Sequence, residues 1–350
     1  MTGPAPRPPA PDPSRSSLER LGEFGLIARL RARLATTAPG LLRGIGDDAA
    51  VLVPTPGLAL LATADALIEE VHFSFRFSPP DAVGYRAMVA NLSDIAAMGG
   101  IPRAALVCLA LPARTELEVV DGLYEGLHRA AASAATAIVG GDTVRSPGGV
   151  MLAITVLGEV EPDRCVSRAG ARPGDRLWVS GPLGGSAAGL AWLRRHGPRA
   201  EAPEAVRDAI RCHEAPVPRL ALGRALALDG LAKAMLDVSD GLGGDARRIA
   251  EESGVGVQIE AGRVPLHPGA SEVARRIGGD ALQWAISGGE DYELLFAADP
   301  AADLATWAAG RGFPAPTSVG TVVPAEAGCT LVAPDGSEHP LPGGYDHLAH

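Results

Sequence analysis

Six aspartates stand where a carboxylate is either a turn residue or a tool. Asp48 follows Asp47 in Gly44-Ile-Gly-Asp-Asp-Ala-Ala-Val51, and Asp65 ends an apolar run. Asp94 interrupts the apolar stretch from Met88 to Met98, Asp142 follows Gly140-Gly141, and Asp237 and Asp240 flank Ser239. An aspartate beside glycine or at a strand end ordinarily closes a turn or caps a helix, and Asp47 fits that description. Asp94 does not. A carboxylate among apolar helix neighbours is costly unless it is paired or metal-bound, and Asn91 lies one turn before it on the same side. Lys233 is the only lysine in the chain, so pairing is left to arginine. Carboxylates without clustered His or Cys are hard oxygen ligands, which suit Mg2+ rather than zinc or copper. Mg2+ held this way keeps coordination positions for substrate phosphates. The turns expected at Gly140-Gly141, Gly184-Gly185 and Gly288-Gly289 would let backbone N–H groups approach an anion. Together these features point to phosphoryl transfer, where catalysis is mostly positioning and charge neutralisation.

Other chemistries are closed. A Walker A loop needs Gly-Lys-Ser/Thr, but Lys233 precedes Ala, and lysine Schiff-base chemistry has no second candidate. Cys108, Cys165, Cys212 and Cys329 lie far apart, outside zinc spacings, and read as reduced structural thiols. The net charge of −10, from 41 acidic and 31 basic residues, argues against broad nucleic-acid or anionic-membrane binding. No window offers the ~18 consecutive apolar residues of a membrane span. The opening Met1–Ser17 is proline-rich and lacks the apolar core of a signal peptide, so it reads as a disordered tail on a cytoplasmic protein.

At 350 residues the chain has room for about two domains of ~150 residues each. Helices are expected over 18–34 (with Leu21, Phe24, Ile27, Ala28 and Leu34 at helical spacing), 81–98, 117–135 and 241–253. Strands are expected over 48–53, 58–63, 104–111, 137–139 and 151–160, and again over 177–180, 234–238, 255–259, 292–297, 317–322 and 330–332. The Pro-, Gly- and charge-rich stretch 161–175 divides the chain into 18–165 and 166–350. Residues 197–214 read as a polar insertion or a solvated helix. The alternation argues for α/β architecture with α+β character.

The motifs Gly44–Val51, Asn91-Leu-Ser-Asp-Ile-Ala-Ala-Met-Gly99, Val139-Gly-Gly-Asp-Thr143, Asp237-Val-Ser-Asp-Gly-Leu242 and Ser287-Gly-Gly-Glu-Asp-Tyr-Glu-Leu294 occur together and in this order. Glu23-Phe-Gly-Leu-Ile27 precedes them and Gly344-Tyr-Asp-His347 follows. From about Gly22 onward the chain thereby resembles the thiamine-monophosphate kinases of the aminoimidazole-ribonucleotide-synthetase-related superfamily. The resemblance implies a two-domain fold and a homodimer whose N-terminal sheets pair. The implied reaction moves the ATP γ-phosphoryl group onto thiamine monophosphate with several Mg2+ ions.

Position by position, the resemblance implies Asp48, Asp65, Asp94, Asp142, Asp237 and Asp240 as Mg2+ ligands, with Thr63 and Ala64 beside them. The family's hydroxyl residue is absent at Ala64, so only its main-chain carbonyl could coordinate. Gly141, Asp142, Arg168 and Ser239 are implied as ATP contacts, and His72, Glu290 and Tyr345 as substrate contacts. No side chain is assigned as a general base. The acceptor phosphate loses its second proton near pH ~6 and is already a nucleophile at neutral pH. Another ATP-dependent enzyme of the superfamily, such as an aminoimidazole ribonucleotide synthetase, stays open as an alternative. So does a non-catalytic nucleotide-binding relative. A selenophosphate synthetase is disfavoured, because no Cys precedes Cys108 and the accompanying Lys is missing.

Overall fold

The computed structural model describes residues 17–34, 38–198 and 201–344. All but the last residue of the proline-rich segment 1–17 lies outside the described residues. The first element, α1 (Ser17–Arg33), is kinked at Gly22, where φ is 70°. Its buried stripe is Leu26, Leu30 and, just past its end, Leu34, so of the expected stripe Leu34 is buried while Leu21 and Ala28 are exposed. A short hairpin, β1 (Leu41–Arg43) and β2 (Val51–Leu52), follows.

The N-terminal sheet is built from β3 (Ala59–Ile68), β4 (Ile101–Leu111), β5 (Ala137–Arg145) and β6 (Met151–Val160), in the order β3-β6-β4-β5. Only β4 and β5 run parallel. Helices α2 (Pro80–Ala97) and α3 (Leu117–Ser133) separate these strands in sequence. Strand alternation turns Leu61, Leu67, Val107, Leu109, Leu152 and Ile154 into a core with both helices. The opposite face carries Leu60, Ile68, Val144 and Met151, between 37% and 63% exposed.

Two expectations for this half are corrected. Asp65 does not end a strand but sits well inside β3, and Gly140-Gly141-Asp142 is not a turn but the middle of β5. At Gly141 φ is 150°, and a Cβ would lie 1.8 Å from the Val107 carbonyl oxygen. The missing side chain serves the contact of two strands, beside an irregularity in the β4–β5 register.

The second half is a seven-stranded sheet in the order β13-β12-β9-β11-β7-β10-β8. Its strands are β7 (Arg176–Val179), β8 (Ala234–Asp237), β9 (Gly256–Glu260), β10 (Leu294–Ala298), β11 (Thr317–Val323), β12 (Cys329–Val332) and β13 (Glu338–Pro340). All pairings are antiparallel except β12 with β9. One face packs on α7 (Leu242–Ser253) and α9 (Ala281–Ser287), the other on α6 (Leu220–Leu228) and α10 (Leu304–Gly310). A small separate core joins α4 (Gly185–His196), α5 (Glu204–Glu214) and α8 (Pro268–Ile277). Of the segment 197–214, read as a polar insertion or a solvated helix, residues 204–214 form a packed helix with Val206, Ala209 and His213 buried. Helix α2 belongs to both halves. Met88, Leu92 and Ile95 enter the N-terminal core, while Ala96 and Ala97 pack with α6 and the second sheet.

Candidate active site

At the junction of the two halves lies a cleft of about 560 Å³, walled by Asp65, Asp94, Asp237, Asp240, Arg168 and Ser239, among others. Each carboxylate arrives by a different element. Thr63 and Asp65 share the inner face of β3, two residues apart, while Asp94 sits on the facing side of α2 and accepts a hydrogen bond from the Thr63 hydroxyl. Asp237 is the last residue of β8, and Asp240 follows in the loop before α7.

The electrostatics of this cluster are unfavourable. Burial, and next the charge of Asp94, push the Asp65 carboxyl up to about 6. Burial raises Asp94 as well, against the Thr63 hydrogen bond and the positive charge of Arg168. Asp237 is raised by its complete burial and then by Asp94. Like charges crowded in a half-dry cleft favour protons, or cations in their place.

The loop bearing Ser239 and Asp240 is held from two sides. The backbone N–H of Glu290 donates to the Ser239 carbonyl at 2.8 Å, and that of Tyr292 to the Val238 carbonyl at 3.0 Å. Glu290 and Tyr292 hold φ of 57° and 53°, conformations non-glycine residues seldom adopt and which concentrate at functional sites. Gly289, with φ of 67°, leaves no room for a side chain, since a Cβ would come within 2.3 Å of the Ser239 carbonyl oxygen. From the other side, Arg248 pairs with both Asp240 and the fully buried Asp245.

Along the rim, Glu290 is half-buried and bound by Arg86 at 2.5 Å, a guanidinium wholly inside the protein. His213 stands 3.6 Å from the other Glu290 oxygen. Burial keeps its imidazole well below the usual range, hence neutral, so Arg86 supplies the compensating charge. His72 also lines the cleft, its Nδ1 accepting the Ile68 N–H at 3.0 Å.

The fold therefore gathers Asp65, Asp94, Asp237, Asp240, Arg168, Ser239, His72 and Glu290 around one cleft. It does not bring Asp48, Asp142 or Gly141 to its walls. Asp48 is exposed in the loop before β2, where its N–H donates to Asp47, which pairs with Arg43 at 2.9 Å. By strand register Ala64 and Asp142 lie on the outer sheet face, opposite to Asp65. Tyr345 lies outside the described residues. Gly184-Gly185 does not offer a free anion cradle, because the Gly184 and Ser186 N–H groups already donate to Asp291 at 2.7 and 3.1 Å. Burial lifts that carboxyl to about 7 despite these bonds. Sequence reasoning missed Asp245, Arg86 and Arg248, which carry no local signal beyond their charge, and Asp291, which lay unassigned inside the Ser287–Leu294 motif.

Among the described residues no group of three or more His, Cys, Asp or Glu side chains could by itself enclose an ion. The donor chemistry still fits Mg2+: the available ligands are hard oxygens, and their repulsion leaves a deficit of positive charge. Such a site would share its ions with water and substrate phosphates.

Against known families, residues 46–160 match the N-terminal domain of AIR synthase related proteins and residues 172–329 their C-terminal domain. A thiamine-monophosphate kinase of Escherichia coli is 36% identical over 337 residues, covering 94% of this chain and 98% of the relative. That of Bacillus subtilis is 37% identical over 251 residues, covering 72% and 76%. Among solved structures, the thiamine-monophosphate kinase of Stenotrophomonas maltophilia superposes with a TM-score of 0.78 at 33% identity, covering 90% of this chain and 96% of that one. AaThiL in complex with AMPPCP and TMP superposes with a TM-score of 0.74, also at 33% identity, covering 96% and 100%. A hydrogenase maturation protein bound to ATP, at 20% identity and a TM-score of 0.73, shares the fold alone. With identity at this level running through nearly the whole chain and both halves matched in order, the chain belongs to the thiamine-monophosphate kinase family.

Proposed function

We infer that the junction cleft carries out the reaction for which the family is named, the ATP-dependent phosphorylation of thiamine monophosphate to thiamine diphosphate. The observation that carries the reading is the cluster of Asp65, Asp94 and Asp237, three carboxyls raised by burial or by one another in a cleft that also holds Arg168. Bound Mg2+ would neutralise the phosphates and align donor with acceptor. Asp65, Asp94, Asp237 and Asp240 would hold those ions, with Thr63 orienting Asp94. Arg168 and Ser239 face the donor phosphates, and Glu290 and His72 face the acceptor. None of these groups needs to take a proton, since the acceptor oxygen is already ionised at neutral pH.

Asp48, Ala64, Asp142, Gly141 and Tyr345 stay in the proposal on the strength of the family motifs. For Ala64 and Asp142, on the outer sheet face, the homodimer matters. Pairing that face with a second copy would cover the exposed Leu60, Ile68, Val144 and Met151 and bring Asp142 beside another chain. A cytoplasmic location belongs to the same reading, as the enzyme spends ATP. Among the described residues no helix is long and apolar enough to cross a membrane.

The test is formation of thiamine diphosphate from thiamine monophosphate and ATP, followed by chromatography with and without Mg2+. Mg2+-dependent product is expected. Folded protein that binds MgATP but forms no product would point to a different acceptor around the same motifs.

A further inference from the structure

Beside the cleft lies a second cavity of about 440 Å³, which shares Val71, His72, Leu190 and Arg194 with it. Its own lining combines the apolar side chains of Phe73, Phe77 and Leu193 with the polar Glu70, Ser74 and Arg76. The cleft is thus walled by several carboxylates, whereas the second cavity offers aromatic and aliphatic side chains beside the Arg76–Glu70 ion pair, with Arg194 lining both.

The arginines around the cleft are not equivalent. Arg86 is bound to Glu290, and Arg248 to Asp240 and Asp245. Among the described residues, Arg168 and Arg194 line the cleft without a carboxylate at ion-pair distance. Arg168 acts on Asp94, at the metal side. Arg194 stands on α4 with its guanidinium 6.0 Å from the centre of the Phe77 ring, at the apolar side. The acceptor's phosphate dianion is repelled by the carboxylates of the cleft, while its flat rings, one of them a cationic thiazolium, can pack on Phe73 and Phe77 beside Glu70. A guanidinium at the boundary offsets that repulsion and matches phosphate geometry with paired N–H donors. Engaging it breaks no existing ion pair.

We propose that Arg194 is a substrate-binding residue that grips the acceptor phosphate while the acceptor's rings occupy the second cavity. The inference rests on the kinase reading of the cleft and adds to it a contact that the family motifs do not name.

The experiment is steady-state kinetics of the full chain with Arg194→Met and Arg194→Lys, together with inhibition by unphosphorylated thiamine. Arg194 is exposed, so neither change disturbs the core. In Arg194→Met the KM for thiamine monophosphate should rise about 10- to 100-fold, with the KM for ATP and the inhibition constant of thiamine nearly unchanged, and Arg194→Lys should recover part of the loss. An unchanged KM for thiamine monophosphate overturns the proposal. A matching rise in the thiamine inhibition constant overturns it too, since the guanidinium would then touch the rings. So does a rise confined to the KM for ATP. Failure of the unmodified chain to turn over thiamine monophosphate would instead sink the kinase reading itself, and this contact with it.

Discussion

The carboxyl group of Asp245, buried at the start of α7, accepts the backbone N–H of Asp240 at 3.0 Å. Burial, followed by the charges of Asp237 and Asp240, lifts it to about 8 against the opposing charge of Arg248. The group acts less as a charge than as an acceptor that fixes the loop. Asp245→Asn keeps an acceptor oxygen and should leave stability within about 1 kcal/mol and turnover largely intact. Asp245→Ala strands the Asp240 N–H and should cost about 1–3 kcal/mol, with a marked fall in kcat. Thermal melts and kcat for the pair of variants separate the two cases.

Asp94→Asn or Asp240→Asn should lower kcat by at least about 100-fold, the scale of removing one electrostatic contact to the transition state, with the fold intact by circular dichroism. Asp47→Asn should keep most activity, since Asp47 is engaged with Arg43 and its own loop. Full activity in both cleft variants would rule out a role for these carboxylates. An equal loss in Asp47→Asn would place the wrong member of the Asp47–Asp48 pair at the phosphates.

The raised carboxyls set the direction of the pH dependence. Asp65 moves to about 6, Asp291 to about 7 and Asp245 to about 8, against about 4 in an unfolded chain. Between those values the folded protein binds more protons than the unfolded one, so stability falls as pH rises. Their stabilising contribution is complete below pH ~4 and is lost as pH climbs through 6 to 8. Glu161, held down to about 2 by Arg224, works in the opposite sense below that window, and the burial-depressed His213 and His267 oppose the fall up to the ordinary histidine value near pH ~6.5. In a chelator, the melting temperature should therefore decline from pH ~6.5 to ~8, where only the raised carboxyls still titrate. Asp291→Asn should flatten the decline, and Mg2+ should offset the share of Asp65. A melting temperature that rises across this window would contradict the assignment.

If the proposed homodimer pairs the outer faces of the N-terminal sheets, charge placed on that face should prevent it from forming. Leu60→Arg with Ile68→Arg adds two cations to an apolar face at positions 63% and 41% exposed in the single chain. Sedimentation velocity should show a dimer for the unmodified chain and a monomer for the double variant. A dimer unaffected by both changes would put the interface elsewhere.

What could be read from the sequence was the chemistry that violates a local pattern. Asp94 stood out because a carboxylate within an apolar helix has no local explanation, and its partners Thr63 and Asp237 come from other elements. Features explained equally well by two local causes were misread. A Gly-Gly pair looks the same in a turn and in a strand, and only the Val107 carbonyl beside Gly141 decides between them. Helix α5 looked solvated because charged residues are as numerous in it as apolar ones, yet Val206, Ala209 and His213 form one buried face. Asp291 lay inside a motif already recognised, but its partners at Gly184 and Ser186 are more than a hundred residues away in sequence. Tertiary contacts of that span leave no periodicity to find.

Helix α2 has most of its residues buried, facing the first sheet on one side and α6 with the second sheet on the other. A clamshell motion of the two halves would have to expose one of those faces to water. The helix works as a rivet, and the distance between Asp65 and Asp237 is set when the chain folds rather than when substrate arrives. With both faces of α2 occupied, a way in that leaves the helix covered runs along the rim, past His72 and Arg194.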